Sequence, residues 1–371
     1  MNDGPSHTEE LKSTPKGPLR FKEGGWLILL TLLLAMALLA WGLAPALLQL
    51  ADRPPGNGKD IESYAFDLSN PRIPLETIEP SMLHRDMVPV EMQPIILSPK
   101  EMAEANEGRR KYLVSDDLVI GIEIEGQARA YPLSILNIHE VINDTIGDVP
   151  ISITWHWPSG ATQVLDRRMN GTVLQLGVSG LVAGGNQLLY PMRNDTMRGD
   201  EPLISQILSR SITGDELELE PIPHELVPWS DWLDRYPRTT VAAARPELKN
   251  RYKKGKPDTW FESEKLMFKT PVPKIGPAPK SHMLLIRGLG EDTFVGMDDL
   301  IQAAGDSGTA RVDHGGTTLE LAVTSDPPTA RLVNPPAGIH AMRILWIAGH
   351  ALIPEAGEPA LARPGMAISD P

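Results

Sequence analysis

The sequence predicts an α+β protein in which a β-rich domain with short helices follows one N-terminal transmembrane helix. An uncharged apolar run fills residues 26–48, and alternating strand-like segments separated by Gly-containing turns begin at residue 118. A similar pattern returns from residue 283. These three observations predict a membrane anchor followed by two related β-rich units, that is, a degenerate internal duplication.

The apolar run 26–48 is long enough to cross a bilayer, since the hydrocarbon core takes about 20 helical residues. It exceeds the roughly 7–15 apolar residues of a cleavable signal peptide. Ala44-Pro45-Ala46 resembles a cleavage site, but its central Pro makes it a poor one. We therefore interpret the run as an uncleaved anchor, with Trp26 and Trp41 at the two membrane interfaces.

The charges beside the anchor predict its orientation, because cations accumulate on the cytoplasmic side. Four cations precede the run and two follow it closely: Lys12, Lys16, Arg20 and Lys22, against Arg53 and Lys59. Residues 1–25 are therefore predicted to be a cytoplasmic tail of a single-pass inner-membrane protein. The bulk of the chain is predicted to lie outside the cytoplasm, in the periplasm of a Gram-negative source.

Composition excludes several function classes. The chain has no Cys, which rules out disulfides, Cys nucleophiles, c-type haem and Cys-ligated clusters. Its net charge of −13 argues against nucleic acid as a partner, because nucleic-acid binding needs clustered Lys and Arg. The predicted partners are the membrane, through residues 26–48, and an unidentified protein.

Composition shifts divide the rest of the chain. Residues 49–80 are rich in Pro, Gly and Asp and are predicted to be a linker. A domain is predicted over residues 81–245, a Pro- and Lys-rich connector over 246–282, and a smaller related unit over 283–355. The Pro- and Ala-rich residues 356–371 are predicted to be a disordered tail.

Within the domain, strands are predicted at 118–125 and 128–131, with a tight turn at Glu125-Gly126-Gln127. Strands are also predicted at 148–154, 163–165 and 173–178, with Asn170-Gly171 as a hairpin turn. Between them, apolar residues at helical spacing predict a helix that starts at Pro132: Leu133, Leu136, Ile138, Val141 and Ile142.

Residues 283–300 repeat the pattern of residues 119–136 at an offset of 164, which aligns Gly126 with Gly290. A five-residue insertion then aligns Asp144 with Asp313. The second unit has no counterparts of His139, Glu140 and Asn143, so any site is predicted in the first unit.

The segments ARAYP (128–132), HEVIND (139–144), DRR (166–168) and GVSG (177–180) stand in an order that resembles the domain-of-unknown-function family numbered 3179. The resemblance runs from Ser81 to Val241. Such relatives carry a Cys-Pro-Leu-Cys type segment, which implies thiol or selenol chemistry. Here His156 and Ser159 take the two Cys positions, and neither side chain can perform that redox cycle.

His139 to Asn143 reads HEVIN, one residue from the HExxH of zinc hydrolases. Asn is a poor zinc ligand, so that motif is rejected. What remains is a predicted helix that places His139 and Asn143 on one face and Glu140 and Asp144 on the next. His139 is then either a general base or metal ligand, or a hydrogen-bonded core histidine with Asp144 in a turn.

His156 ends a predicted strand, where active residues are common. His139, His156 and one carboxylate would make a three-ligand site for a divalent metal, the only cofactor predicted. The alternative is that the two histidines do not converge. Ser159 is a candidate nucleophile, although it lacks the GxSxG turn.

Four further residues are predicted to line a ligand site: Arg129, Tyr131, Trp155 and Gln206. The alternatives are a structural ion pair for Arg129, core packing for Trp155 and a surface helix position for Gln206. The leading hypothesis is a non-redox ligand- or metal-binding domain that uses His139 and His156. The alternatives are an inactive scaffold that presents a partner-binding face at the membrane, and a hydrolase or transferase with His139 as base and Ser159 as nucleophile.

Overall fold

The computed structural model describes residues 25–51, 54–107, 111–193, 199–252 and 258–365. It separates into two units, residues 1–53 and residues 54–371, which are described one at a time. The predicted cytoplasmic tail, apart from Gly25, lies outside the described residues, as do its four cations.

The described part of the first unit is one helix, α1 (Gly25–Ala51). Its residues Gly25–Ala44 are apolar and long enough to cross a membrane, and no other helix among the described residues is. Length and composition therefore support a membrane anchor or a signal peptide at this end of the chain.

The second unit holds the remaining helices and all the strands described. The helices are α2 (Pro99–Asn106), α3 (Leu133–His139), α4 (Trp229–Arg235), α5 (Lys249–Tyr252), α6 (Asp258–Phe261), α7 (Met297–Ala304) and α8 (Trp346–Leu352). The strands are β1 (Ile78–Pro80), β2 (Ile95–Leu97), β3 (Leu118–Ile124), β4 (Gln127–Pro132), β5 (Val141–Ile146), β6 (Val149–His156), β7 (Ala161–Asp166), β8 (Arg168–Met169), β9 (Thr172–Val173), β10 (Gln175–Ala183), β11 (Asn186–Met192), β12 (Ile204–Ser205), β13 (Arg210–Ser211), β14 (Glu225–Pro228), β15 (Thr240–Ala243), β16 (His282–Gly288), β17 (Glu291–Gly296), β18 (Thr309–His314), β19 (Thr317–Ser325), β20 (Pro328–Leu332), β21 (His340–Leu345) and β22 (Arg363–Pro364). The mixed α+β class is confirmed.

The first part of this unit, residues 54–245, contains three larger sheets and the small hairpin β8–β9. Their strand orders are β14-β3-β4-β15-β2, β5-β6-β7 and β1-β10-β11-β12-β13. The first two sheets enclose an apolar core that includes Ile120, Ile142 and Trp155. We call this part the N-terminal half.

The second part, from residue 282, contains the sheets β17-β16-β21 and β20-β19-β18-β22. Helix α7 packs between them in a core that includes Met297, Leu300 and Val312. We call this part the C-terminal half. Both halves belong to the one unit of residues 54–371.

The two halves share element order and strand register. A hairpin (β3–β4, β16–β17) leads into a helix (α3, α7) and then into a second hairpin (β5–β6, β18–β19). Val119 pairs with Pro132, and Met283 pairs with Gly296, a shift of 283 − 119 = 164 residues on both strands. The first turns match as well, since Glu125 and Leu289 both have φ of 53°.

The outer strands also correspond. Leu118 pairs with Pro228 on β14, and His282 pairs with Leu345 on β21. Each outer strand leads directly into a helix that begins at a Trp, Trp229 or Trp346. In the second hairpins, Ile146 faces Val149 and His314 faces Thr317, so Asp144 corresponds to Val312, one residue from the predicted partner Asp313.

The predicted linker 49–80 is largely part of the folded unit. Tyr64 and Ile78 are buried in a core beneath the sheet of β10 and β11, and Ile78 pairs with Ala183. This segment forms two short 3-10 helices, Ile61–Tyr64 and Leu75–Thr77, and the strand β1. The tail predicted to be disordered from residue 356 is also partly ordered, because Arg363 and Pro364 pair with β18. Residues 366–371 lie outside the described residues.

Candidate functional site

The helix that was predicted to carry His139 and Asn143 on one face ends at His139. Glu140 follows with φ of 54°, and Val141 begins strand β5. The prediction of a shared helix face is therefore wrong. The β-branched residues at 141, 142, 145 and 146 favour a strand, and that preference prevails over the helical spacing.

His139 is buried and has a partner at each ring nitrogen. Its Nδ1 lies 2.5 Å from the carbonyl oxygen of Pro89, and its Nε2 lies 2.8 Å from the Tyr252 hydroxyl. These partners assign the proton to Nδ1, with Tyr252 donating to Nε2. Burial lowers the pKa of His139, so the ring is neutral. This environment matches the alternative of a hydrogen-bonded core histidine.

Glu140 is the most unusual carboxyl group of the N-terminal half. Its side chain is 5% exposed, and its Oε2 has no hydrogen-bond partner among the described residues. Burial raises its pKa to about 8, so the group is protonated at neutral pH. Its backbone also adopts a left-handed conformation that residues other than Gly rarely adopt.

Arg129, Tyr131 and Asp144 meet, but as a structural cluster. Arg129 Nη1 and the Tyr131 hydroxyl each donate to Asp144 Oδ2 at 2.7 Å. Arg129 Nε also donates to Thr240 Oγ1 at 3.1 Å. Burial raises the pKa of Tyr131 well above its ordinary value, which keeps the hydroxyl a donor. The cluster joins β4 to β5 and leaves no free carboxylate oxygen pair for a metal.

Asn143 and Trp155 also join elements. The Asn143 amide donates to the carbonyl oxygen of Leu176 at 2.9 Å and accepts from the Leu176 amide at 3.1 Å. It thereby joins β5 to β10. Trp155 packs in the core and donates through its indole to Asn137 Oδ1 at 2.8 Å.

His156 and Ser159 contact each other across a 3-10 turn that spans Trp157–Ser159. His156 Nδ1 lies 2.8 Å from Ser159 Oγ, and Asn186 Nδ2 donates to the same oxygen at 2.9 Å. Asn186 also donates to Gln206 Oε1 at 2.7 Å, and Gln206 Nε2 donates to Thr154 Oγ1 at 2.9 Å. We call these five side chains the polar network.

The polar network is buried throughout. Gln206 is fully buried, so the alternative of a surface helix position for it is wrong. Phe268, from the connector between the halves, stacks on the His156 ring with centroids 6.2 Å apart. Trp260 of the connector donates to the carbonyl oxygen of Pro158 at 3.2 Å and meets Trp157 edge to face. The connector therefore covers the turn that carries Ser159.

This geometry is poorly suited to catalysis by Ser159. A general base works best with a pKa near the working pH. Burial lowers the pKa of His156 to about 3, so the ring stays neutral and is a weak base. No carboxylate is hydrogen-bonded to the ring in the described part of the chain.

The two histidines predicted to share a metal have different partners. His139 contacts Pro89 and Tyr252, whereas His156 contacts Ser159. Over the described ranges, no three His, Asp or Glu side chains form a group suited to a metal ion. A metal site at His139 and His156 remains a prediction that this geometry does not support.

A cavity of about 180 Å³ between the two halves was not predicted from the sequence. From the N-terminal half it is lined by β14 and α4, including Leu226 and Trp232. From the C-terminal half it is lined by β20 and β21, including Arg331 and Arg343. Ligand sites often form at such boundaries between structural units. We call it the interface cavity.

Arg343 is the unusual charge in this cavity. Its Nε is buried and has no hydrogen-bond partner among the described residues, while its Nη1 donates to the carbonyl oxygen of Pro328 at 3.3 Å. Burial lowers the pKa of Arg343 to about 10, and no carboxylate offsets that effect. Arg331 is half-buried and forms no ion pair in the described part of the chain.

Two neutral histidines, His224 and His340, also line the interface cavity. His224 Nε2 lies 3.1 Å from Thr162 Oγ1, and burial lowers the pKa of His224 to about 4. His340 also has a pKa lowered to about 4 by burial, and its Nε2 has no hydrogen-bond partner among the described residues. Groups with perturbed pKa values thus converge on one cavity, which is a feature of functional sites.

The sequence contains little signal for this cavity. Arg331 and Arg343 lie in the smaller related unit predicted over 283–355, but no strand was predicted at either residue. The residues of β14 that line the same cavity are about 100 residues away in the chain. The only signal for the cavity in the sequence is that Arg331 and Arg343 each interrupt an otherwise apolar segment.

Comparison with known proteins gives one match. The model of the family described as "Protein of unknown function (DUF3179)" matches residues 91–343, about two thirds of the chain. This region extends beyond Val241, where the resemblance seen in the sequence ends, and includes most of the C-terminal half. Neither the curated proteins nor the solved structures contain a significant match.

Proposed function

Since the chain belongs to the DUF3179 family, whose model spans both halves, we propose a function that uses both: binding of a small anionic ligand in the interface cavity. The protein would be a membrane-anchored, non-redox and non-catalytic binding module. This retains the ligand-binding hypothesis and moves its site from His139 and His156 to the cavity.

The observation that carries the proposal is the Arg343 guanidinium. Partial removal of a charge from water without an ion-pair partner is unfavourable, and Arg343 is half-buried. Arg343 has one carbonyl partner and a buried, unpaired Nε. A bound anion would compensate that charge through charge-assisted hydrogen bonds, which are about twice as strong as neutral ones.

The polar network supports a structural function for His156 and Ser159. All five of its side chains are buried and hydrogen-bonded to one another. None of the five lines the interface cavity. We infer that the network positions β6, β11 and the turn at residues 157–159.

We also infer that the two halves arose by duplication of one unit. The support is the register shared by β3–β4 with β16–β17 and by β14 with β21. The central strand of each half has both of its neighbours paired in the same register, which supports this inference. The interface cavity then lies where equivalent outer strands of the two copies meet.

A thermal-shift experiment on the full chain in detergent micelles tests the binding function. Small organic and inorganic anions should raise the melting temperature of the wild type, and Arg343→Gln should abolish the shift. Arg311→Gln is the matched control, because Arg311 is another strand Arg of the C-terminal half that does not line the cavity. If anions change the melting temperatures of Arg343→Gln and Arg311→Gln equally, or change neither, the proposal is refuted.

We propose that residues 54–371 lie outside the cytoplasm, on the support of the apolar helix α1 and the cations that precede it. The Cys-free chain allows a direct test. Ser6→Cys and Ser69→Cys each introduce one thiol, on opposite sides of α1 in the sequence. In intact spheroplasts a membrane-impermeant maleimide should label Ser69→Cys and not Ser6→Cys. The reverse pattern would contradict the topology, and loss of the N-terminal segment from the mature protein would identify a signal peptide.

A partner-binding scaffold is the second candidate. The connector exposes large apolar side chains, since Val272 is 48% exposed and Ile275 is 78% exposed. Exposed apolar surface is typical of interaction sites where it forms a contiguous patch, and these two side chains stand three residues apart in the connector. Cross-linking in membranes from a single cysteine at position 275 should capture a protein if this candidate is correct.

A further inference from the structure

The wall of the interface cavity combines one apolar surface with a cationic one. The apolar side chains come from both halves: Leu226, Trp232, Leu284, Met297, Leu332 and Ile339. Most of them are buried, including Trp232 and Met297. The cationic groups, Arg331 on β20 and Arg343 on β21, come from the two different sheets of the C-terminal half. An occupant must therefore present both an apolar body and a negative charge.

The carboxylates of the cavity wall form no ion pair with these two arginines, although Glu225 and Asp231 act on Arg331 at longer range. Glu225 forms an ion pair with Arg235, and both of its oxygens are used there. Glu123 is exposed and accepts a hydrogen bond from the backbone amide of Gly126. Arg331 and Arg343 have no ion-pair partner among the described residues. Their charge is thus available to a ligand.

Cavity size restricts the occupant further. The interface cavity measures about 180 Å³. An engineered protein cavity of about 150 Å³ holds one benzene molecule. A ligand of roughly that size with one small charged group would match the space.

We propose that the ligand is a small organic monocarboxylate, with its carboxylate at Arg343 and Arg331 and its apolar body against Leu226, Trp232 and Met297. This inference rests on the proposed binding function and specifies its ligand class. A guanidinium offers two parallel N–H donors that match the two oxygens of a carboxylate.

Inorganic phosphate fits the same wall less well. A tetrahedral anion has four oxygens around one centre, so an oxygen that faced the apolar part of the wall would lack a donor there. A buried polar atom without a partner costs about 1–3 kcal/mol. A carboxylate attached to an apolar body avoids that cost because its two oxygens lie at one end.

Isothermal titration calorimetry on the full chain in detergent micelles tests the ligand class with four probes: benzoate, isovalerate, benzamide and inorganic phosphate. Benzoate and isovalerate are expected to bind. Benzamide has nearly the shape of benzoate without the charge, so its affinity should be lower by about tenfold or more. Phosphate should bind more weakly than both carboxylates.

Two variants locate the site. Arg343→Gln should lower benzoate affinity by about tenfold or more while Arg311→Gln leaves it unchanged. Ala330→Leu should also lower it, because Ala330 lines the cavity and a larger side chain would occupy its volume. Circular dichroism and melting temperature show that each variant is folded before titration.

The outcomes separate the ligand class from the binding function. If phosphate binds through Arg343 and the carboxylates do not, the monocarboxylate class is overturned and the binding function stands. If benzamide binds as tightly as benzoate, the charge of the ligand is irrelevant and the class is overturned. If no probe distinguishes wild type from Arg343→Gln, the ligand class and the binding function both fail.

Discussion

The two halves of residues 54–371 have the same element order and register but different interiors. The N-terminal half contains polar groups at His139, Glu140 and Asp144, of which the first two are buried and the third is partly buried. At the corresponding positions the C-terminal half has Ala303, Ala304 and Val312, the last of which is fully buried in an apolar core. The fold therefore does not require these polar groups, because the C-terminal half forms the same arrangement without them.

What both halves retain is the set of features that determine a fold. The first hairpin turns in the left-handed region at Glu125-Gly126 and at Leu289-Gly290. Leu136 and Leu300 are both fully buried, 164 residues apart. Turn geometry fixes the register, and the buried apolar face fixes which side of each strand and helix points inward.

The largest expected effect tests whether the halves fold together. Leu136→Ala and Leu300→Ala should each lower the free energy of unfolding by about 2–5 kcal/mol, because each removes a fully buried side chain from a core. Since both halves belong to one compact unit, urea unfolding should stay a single transition in both variants. A second transition in Leu300→Ala alone would show that the halves are independent domains.

Glu140→Gln tests the cost of the carboxyl group that the C-terminal half lacks. The pKa of Glu140 is higher in the folded protein than in the unfolded chain, so protonation of Glu140 favours the folded state. This contribution is complete below the pKa of the unfolded chain and is lost as pH rises through the pKa of the folded protein. Glu140 therefore loses its stabilising contribution between about pH 4.5, its ordinary pKa, and about pH 8, its pKa in the folded protein. Urea unfolding at pH 9 should therefore show Glu140→Gln more stable than wild type by on the order of 1–3 kcal/mol, with little difference at pH 4.5.

The matched control for that experiment is Glu104→Gln, an exposed residue on α2. Its free energy of unfolding should follow that of the wild type at both values of pH. Parallel pH profiles for wild type and Glu140→Gln would contradict the buried, protonated state of Glu140.

Gln206→Leu tests the polar network. The substitution removes the partner of Asn186 and Thr154 in a buried site, which costs about 1–3 kcal/mol. Gln302→Leu, at an exposed position on α7, should change stability by less than about 0.5 kcal/mol. Equal effects of the two substitutions would mean that the network contributes nothing to the N-terminal half.

The smallest expected effect concerns the matched turns. Leu289 adopts φ of 53°, a conformation that Asn tolerates better than Leu. Leu289→Asn should raise the free energy of unfolding by up to about 1 kcal/mol, and the melting temperature with it, and Glu125→Asn should act in the same direction. A loss of stability in either variant would show that the side chain makes a contact that outweighs its backbone strain.

Much of the local structure was predictable. The strands near 118–131, the Asn170-Gly171 turn and the start of the helix at Pro132 follow from alternation and turn residues, and the structure confirms them. The helix end was not predictable from spacing, because Val141 and Ile142 continue a helical apolar pattern and a strand pattern equally well. Pairing of β5 with β6 decides between them.

The apolar N-terminal helix, the lack of Cys, the family and the α+β class could all be read from the amino-acid sequence, since they depend on composition, local periodicity and ordered motifs. Tertiary structure alone decided which polar residues meet. His139 and His156 have separate partners, whereas Arg343 and Leu226 face one cavity across more than a hundred residues of chain. Such meetings depend on how the two halves pack, and long-range packing leaves no local pattern in the sequence.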